Sequence, residues 1–527
     1  MCGIAVAINW DGAEAAVRGM INGLMHRGDV DDPVLSPARD TAMATRRLRI
    51  VDAERAVQPQ FSFDNRYVVV FNGEIYNHEA LRRELEGMGV VFRTHSDTEV
   101  LANALRAWGP GALGRLVGMY AFVAFDVKTN EFLAARDPLG VKPLYVIMSK
   151  RSILFCSEIR PLLAASDIGE VMLLPPGQAL TRNALTPFVR LGPEPDSMRT
   201  VNDPAVLDNL LGAAVRARIP PDLPFATFFS GGIDSTLIAS YAGCVRPGAP
   251  GYFLGGPEAP DYAYAARYAD MTGYDLRVVS LPPDDGIGLI GNVVTSVETF
   301  EPGVVRDALC GYLLSQRAHA DGFRVALCGE GADELFAGYL PLEMAYAEGA
   351  AYGDPVRRQC LEMMHRSNLQ RVDRCGMRFG LEVRTPFLDS SVVAYALALD
   401  APALVRETAG APVGKQPLRA LFDLHADRLP REIAVRAKMP MHRGAGFDVS
   451  QKVSPWIRHA EATISDREFA EAQREYKAFD LCAKEELLYL RHLTQTLDVN
   501  RVPHLKSRLR LSFPTLKRME WAADFTP

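Results

Sequence analysis

No apolar run in this chain approaches the roughly 20 residues that cross a bilayer. The first one, GIAVAINW, breaks at Asp11 and has no cationic segment before it. The expectation is a chain without leader or membrane span, in the cytoplasm. The eight cysteines (Cys2, Cys156, Cys244, Cys310, Cys328, Cys360, Cys375 and Cys482) include no CxxC pair and no zinc-like Cys/His spacing. A disulfide framework and a structural metal centre are therefore not expected. Basic residues are not in excess either: 58 Lys and Arg face 64 Asp and Glu, a net charge of −6. That balance gives no general pull toward nucleic acid or anionic lipid, so neither is expected as a partner. Internal repeats and low-complexity tracts are absent.

What is present is the balance of a soluble globular protein, with 48% hydrophobic and 23% charged residues over 527 positions, enough for at least two cores. Short alternating runs (GIAVAI, RYVVVF, YAFVAFD, EFLAAR, SILFCSE) fill the first 190 residues and predict a mostly antiparallel β domain with few helices. Helices are predicted from His78 to Gly87 and from Asp97 to Trp108, the second with Val100, Leu101, Ala104 and Leu105 on one face. LGPEPDSMRT reads as a linker, placed at 191–203 between domains at 1–190 and 204–527. Beyond it, Asp203 and Pro204 predict a helix start, with an apolar stripe of Val206, Leu207, Leu210, Leu211, Ala214 and Val215. Buried strands PFATFF, GYFLGG and FRVALC then alternate with helices, which predicts a parallel sheet; from about Pro341 the pattern is nearly all helical.

FFSGGIDST, Phe228 to Thr236, follows one of these strands and opens the helix STLIASYA. Gly231 and Gly232 let backbone amides approach an anion, and the helix N-terminus favours negative charge. Ser230, Ser235 and Thr236 offer hydroxyls. Asp234 does not favour a bare phosphate and so implies a cation, Mg²⁺, between them. No lysine follows the glycines, so this is not a Walker loop. After FRVALC comes GEGADELFAGY, with Glu330, Asp333 and Glu334 at a strand end, where open α/β sheets gather ligands. For Glu334, a solvated acidic helix start is a sufficient reading.

Four elements of the front half can make a second site. Arg47 in RRLRIVD and Asp97 in THSDTEV can clamp the carboxylate and ammonium of a free amino acid. Asn72 and Gly73 in FNGEIYN can form an oxyanion hole, with Glu74 beside them. Taken singly, Arg47 reads equally as a surface ion pair, Asn72-Gly73 as a hairpin turn and Asp97 as an N-cap. The opening MCGI read alone favours Cys2 as a small apolar residue of an edge strand. The other reading is that removal of Met1 gives Cys2 a free α-amine beside its thiol.

FFSGGIDST resembles the pyrophosphate loop of ATP pyrophosphatases. MCGI with the four elements resembles the N-terminal-nucleophile glutaminase domain of class II amidotransferases, and the whole chain resembles the glutamine-hydrolysing asparagine synthetase family. Further stretches carry the likeness: HRG (His26 to Gly28), ARDPLGVKPLY, SEI (Ser157 to Ile159), PPG, VDRCGMRFGLEVRTPFLD (from Val372), RAKMPMHRGAGF and KEELLYLR. The resemblance implies an α+β, αββα-sandwich glutaminase domain, then an α/β parallel-sheet ATP-pyrophosphatase domain with a largely helical C-terminal part. It implies Cys2 as nucleophile with its α-amine, titrating near pH ~8, as base. Asn72 and Gly73 become the oxyanion hole, and Arg47, Leu48, Arg49, Ile50, Val51, Glu74 and Asp97 hold glutamine with them. For ATP it implies Phe229, Ser230, Gly231, Gly232, Asp234, Ser235, Leu254, Cys328 and Gly329. Asp234 and Asp333 become Mg²⁺ ligands, Glu330 serves the adenylate, and Lys438 offsets charge on the phosphate side. The implied partners are glutamine, ATP and a carboxylate acceptor, first among them aspartate; an internal ammonia channel and a homodimer are compatible with the likeness.

Two departures bear on the acceptor. ETFEPGVVRD places Gly303, Val304 and Val305 where aspartate-using relatives commonly carry polar residues, and MPMHRGAG behind Lys438 is unusual at Met439, Met441, His442 and Arg443. Arg306, Arg384 or Arg443 can each bind an acceptor carboxylate or form a structural ion pair. A different carboxylate acceptor is the alternative to aspartate. A sensing regulator with a decayed site and a tRNA-modifying pyrophosphatase fit less well, since each catalytic position is filled and no basic stripe is present.

Overall fold

Cys2 does not lie on an edge. In the computed structural model, which describes residues 2–189, 202–280, 286–436, 438–446 and 454–510, its strand runs inside a sheet. The first of two units begins with β1 (Cys2–Ile8), β2 (Val30–Asp31), β3 (Leu35–Ala38), β4 (Thr41–Arg47), β5 (Gln60–Phe61) and β6 (Tyr67–Ile75). It continues through β7 (Gly118–Asp126), β8 (Glu131–Arg136), β9 (Tyr145–Met148), β10 (Ile153–Cys156), β11 (Val171–Leu173), β12 (Gln178–Leu180) and β13 (Leu185–Pro187). One sheet has the order β11-β9-β10-β1-β4-β2 with β3 beside β4, the other β13-β12-β8-β7-β6-β5, and neighbouring strands in both run antiparallel.

The strand period of two decides which side chains meet. Ile4, Val6, Ile8 and Met43 of the first sheet pack on Val68, Val70, Ala121 and Val123 of the second, forming the core between the sheets. Val69, Phe71 and Ile75, of opposite parity, pack on Leu81, Leu85, Val100 and Leu101 of α2 (His78–Gly87) and α3 (Asp97–Trp108). On the far side, α1 (Ala13–Gly23) covers β1 and β4, and α4 (Ile159–Ala164) covers β9 and β10. The result is four layers, helix, sheet, sheet, helix. α2 and α3 have the bounds predicted for them, with Ser96 rather than Asp97 as the cap of α3, accepting from Glu99 N.

The first unit also takes in Met377–Gly380 and Leu493–Ser507, which the division at 190 does not anticipate. Leu505, Val499 and Val502 are buried, His504 stacks on Tyr145, and Arg501 donates to the carbonyls of Ser166, Ile168 and Gly169. The expected linker at 191–203 lies, apart from Asn202 and Asp203, outside the described residues.

The second unit opens with α5 (Pro204–Arg218), where Asp203 accepts from Ala205 N and Pro204 fills the first turn. Leu207, Leu211, Ala214 and Val215 are buried as the stripe predicts, whereas Val206 turns outward because it lies one residue off that face. Its sheet joins β14 (Ala226–Phe228), β15 (Gly251–Leu254), β16 (Leu276–Val279), β17 (Val325–Leu327) and β18 (Glu382–Arg384), all parallel, in the order β16-β15-β14-β17-β18. Between strands run α6 (Ile233–Val245), α7 (Tyr262–Thr272), α8 (Ile290–Val297) and α9 (Pro302–Ala320). The chain moves outward from β14 in one direction and returns to build β17 and β18 on the other. The strand order therefore reverses between β14 and β17, and a crevice opens at their carboxyl ends. Past Pro341 the described residues are mostly helical, with β18 and a hairpin of Arg406–Thr408 and Ala411–Val413 as exceptions.

Candidate active sites

The same parity that builds the sandwich core aims four polar residues into one end of it. Cys2 continues the series Ile4, Val6, Ile8; Arg47 continues Met43; Asn72 and Glu74 continue Val68 and Val70. Cys2 and Arg47 are register partners on β1 and β4. Across the sheets, Cys2 N donates to Asn72 Oδ1 at 3.0 Å, while Asn72 Nδ2 is buried with no hydrogen-bond partner. A buried amide N–H without a partner is costly to the fold and is a donor held ready for an anion. Gly73 on β6 faces Tyr120, and a Cβ there would lie 2.1 Å from Met119 O, so only glycine permits that close approach. Asn72-Gly73 is thus mid-strand, not a hairpin turn.

Arg47 is buried, with Nε 2.8 Å from Asp32 Oδ2 and Nη1 donating to Ala53 O. It is not a surface ion pair. Asp97, in the first turn of α3, accepts from Ile75 N at 3.0 Å and so ties that helix to the end of β6. Leu48 is buried, Ile50 and Val51 are half-buried, and Arg49 pairs with Asp29. Burial pushes the Cys2 thiol above its ordinary pKa, so the thiol is not ionised in advance and needs a base.

One further residue crowds Cys2 and carries no local sequence signal. Gln58 places Nε2 3.9 Å from Cys2 Sγ and accepts from Phe71 N, and its own N–H donates to Asp32. The motifs HRG and SEI acquire a physical role here. Fully buried Arg27 donates to Cys2 O and to Glu158, His26 meets the same carboxylate at 2.9 Å, and Ser157 Oγ accepts from Ile4 N.

At the switch point of the second unit, the loop after β14 turns through Gly231 at φ +67°, a left-handed conformation in which a Cβ would strike Ala265 N at 2.7 Å. Ser235 Oγ accepts from Ser230 N and meets Ser230 Oγ at 3.1 Å, so the two hydroxyls brace the loop. Thr236 is buried, and its Oγ1 has no hydrogen-bond partner among the described residues.

Two cavities meet here, both lined by Ser230, Asp234, Asp261, Lys438 and Met439. The smaller, about 460 Å³, is lined by four cations, Lys415, Arg419, Arg436 and Lys438. The larger, about 990 Å³, is mostly apolar, and Phe229, Leu254, Cys328, Gly329, Leu314, Val372, Cys375 and Met441 are among the residues that line it. Asp234 and Asp333 converge on one cation that the motifs do not reveal. Buried Lys415 sets Nζ 2.6 Å from Asp234 Oδ2 and 2.5 Å from Asp333 Oδ1, and Lys438 Nζ lies 2.6 Å from Asp333 Oδ2. Lys415 sits at φ +57°, backbone strain of about 1–3 kcal/mol that the packing must hold in place. Burial opposes the Asp333 charge, but the two lysines more than offset it and hold its pKa down to about 2. For Lys438 burial again opposes ionisation, and Asp333 with Asp234 pushes its pKa up.

Glu334 is neither solvated nor part of this cation cluster. Burial, then the charges of Asp333 and Glu330, push its pKa up to about 8, and its Oε1 accepts from Tyr339 and Asn368. Among the arginines considered for the acceptor, Arg384 is buried between Glu382 and the Arg218 carbonyl, a structural position. Arg306 faces Glu485 at 3.5 Å, and Arg443 is exposed. Arg371, one residue before a quoted motif, is instead the arginine that lines the larger cavity, paired with Glu330 and Asp307. Among the described residues no three His, Cys, Asp or Glu side chains group as a metal cage.

Residues 1–189 match the glutamine amidotransferase domain family, and residues 206–357 and 347–502 match the asparagine synthase family. A probable glutamine-hydrolyzing asparagine synthetase of Schizosaccharomyces pombe is 31% identical, over 94% of this chain and 93% of its own. The glutamine-hydrolyzing asparagine synthetase 3 of Arabidopsis thaliana is 30% identical over 100% of this chain and 93% of its own. Among solved structures, a Bacillus subtilis glutamine phosphoribosylpyrophosphate amidotransferase is similar over 53% of this chain and 66% of that one, at 19% identity and a TM-score of 0.30, too slight a likeness to bear on the site. With one model spanning more than half of its length and relatives aligned nearly end to end, the chain belongs to the asparagine synthase family.

Proposed function

We infer that the chain is a glutamine-dependent amide ligase that makes asparagine: it hydrolyses glutamine in the first unit and, in the second, joins the ammonia to an aspartate side-chain carboxylate activated as its adenylate. The observation that carries this reading is the paired cavity of the second unit, in which a cation-lined lobe meets an apolar lobe at Asp234 and Lys438. That shape suits a triphosphate whose pyrophosphate end enters the cations, while adenosine and an acid share the apolar side.

In the first unit, removal of Met1 turns Cys2 N into an α-amine that is partly unprotonated at neutral pH and accepts the thiol proton. Asn72 Oδ1 orients that nitrogen. As the thiolate attacks the glutamine side-chain amide, Asn72 Nδ2 and Gly73 N–H receive the oxyanion. Arg47, beside Asp32, takes the α-carboxylate of glutamine, and Asp97 with Glu74 takes the ammonium end. Ammonia leaves, and water releases glutamate from the thioester. Asn72→Ala should lower glutaminase kcat/KM by roughly 10²–10³-fold, the scale of one oxyanion donor. A steady-state assay of glutamate release checks this, and an unchanged rate removes Asn72 from the role.

In the second unit Gly231, Gly232 and the start of α6 receive phosphate oxygens, with Phe229, Leu254, Cys328 and Gly329 against the nucleoside. Asp234 and Asp333 would hold Mg²⁺. Their carboxylates already converge on a shared positive charge, and Mg²⁺ commonly binds through one or two carboxylates plus substrate phosphates. The ion would supply charge neutralisation between the phosphates. Lys438 stabilises charge that builds on the phosphate side as pyrophosphate departs, and Glu330 stands beside the reacting carboxylate. Incubation with glutamine, aspartate, ATP and Mg²⁺ should yield asparagine, glutamate, AMP and pyrophosphate in equal amounts. Glutamine hydrolysis with no amide product would overturn the ligase reading.

A further inference from the structure

Gly303, Val304 and Val305 at the start of α9 carry no hydrogen-bonding side chain, whereas Asp307, one turn after Gly303, does. Gly303 and Asp307 are four residues apart, on one face, and both are half-buried. Asp307 Oδ1 takes the His442 ring at 2.6 Å and the His442 N–H at 3.3 Å, and Oδ2 takes Arg371 Nη1 at 3.2 Å. A carboxylate offers about four lone-pair sites. One therefore remains, on the oxygen beside Arg371, and 21% of the Asp307 side chain is exposed. Arg371 is 6% exposed, lines the larger lobe, and spends one N–H on Asp307 and one on Glu330. Five N–H groups make up its fork, so donors are left for another carboxylate.

The geometry points to Asp307 and Arg371 as the clamp for the acceptor's amino-acid head group, Arg371 receiving the α-carboxylate and Asp307 the α-ammonium. An arginine and an aspartate held side by side match the two charges that a free amino acid carries on one carbon. Glu330, on the other branch of the Arg371 fork, then marks the direction of the side-chain carboxylate, toward Asp333 and Lys438. His442 braces Asp307 through both its ring and its backbone N–H. The acceptor class is an α-amino acid with a carboxylate on its side chain. This assignment rests on the amide-ligase reading and sharpens it.

The test is aspartate-stimulated ATP–pyrophosphate exchange, run beside succinate, which lacks the ammonium, and 3-aminopropanoate, which lacks the α-carboxylate. The wild-type enzyme should prefer aspartate to succinate by about 10- to 100-fold in kcat/KM, the scale of one hydrogen bond between charged groups. Asp307→Asn should erase most of that preference by lowering aspartate use while leaving succinate use in place. Asp307→Glu should restore part of it. A purely structural role would depress both acids together, and an unaltered aspartate-to-succinate ratio in Asp307→Asn overturns the assignment. Should Asp307→Asn fail to fold, equal use of aspartate and succinate by the wild-type enzyme overturns it as well. If no acid supports exchange in the wild-type enzyme, the ligase reading itself falls; if aspartate does and the ratio stays fixed, only the clamp falls.

Discussion

Cys2→Ala is expected to lose glutamine-dependent amide formation by roughly 10⁴–10⁶-fold in kcat, the scale for removing an enzyme's nucleophile. Ammonia-dependent formation should stay within about twofold of wild type, because Cys2 belongs to the first unit and the residues proposed for adenylation belong to the second. The alanine keeps the strand. Cys2 is 5% exposed, its carbonyl still receives Arg27 and its N–H still reaches Asn72, so the backbone contacts that hold the site survive. What disappears is the sulfur, and with it the thioester route. Asparagine formation measured with glutamine and with ammonium chloride in parallel checks both halves. Equal losses from both nitrogen sources would contradict separable sites.

How much of this site could be read in advance depends on where the determining contact lies along the chain. Cys2, Asn72 and Arg47 were legible only through the family resemblance their motifs carry together; singly they read as edge strand, hairpin turn and surface ion pair, because the pairing of β1 with β4 and the stacking on β6 that turn them toward one another leave no local mark. α2 and α3 were legible to their ends because stripe and capping signals are local, with Ser96 three residues before Glu99. Asp32 and Gln58 were not, since their contacts with Arg47 and Cys2 span 15 and 56 residues. β16 and β18 escaped for another reason. β16 is only partly buried, and β18 reads Glu-Val-Arg, a polar run that succeeds in the interior because Arg384 and Glu382 pair there. A pattern search for apolar strands passes over both. The second site divides the same way. The loop at Phe228 to Thr236 and the GEGADE stretch announce themselves, but Lys415 is a single lysine before a helix, 181 residues from Asp234.

That lysine carries the other large effect. Lys415→Met should reduce ATP–pyrophosphate exchange by about 10³-fold or more, as expected when a cation beside a transferring phosphoryl group is lost. It should also destabilise the protein by about 3–5 kcal/mol, the range for breaking a buried ion pair from one side. The reason is geometric: Asp234 and Asp333 share one Nζ, and without it two mostly buried carboxylates face each other with only Lys438 near Asp333. The acid limb reveals the same charge. Asp333, held down to about 2 from an ordinary 3.8, contributes stability that is present above pH 3.8 and is lost as pH falls toward 2. In Lys415→Met its pKa rises, so that stability begins to fail at higher pH. Thermal melts from pH 7 to pH 3 should therefore separate variant from wild type at every pH, with the variant's decline starting earlier. Millimolar Mg²⁺ should recover part of the variant's melting temperature, since a cation again lies between the two carboxylates. A variant that melts like wild type, with exchange intact, would mean that Lys415 only fills space between Asp234 and Asp333.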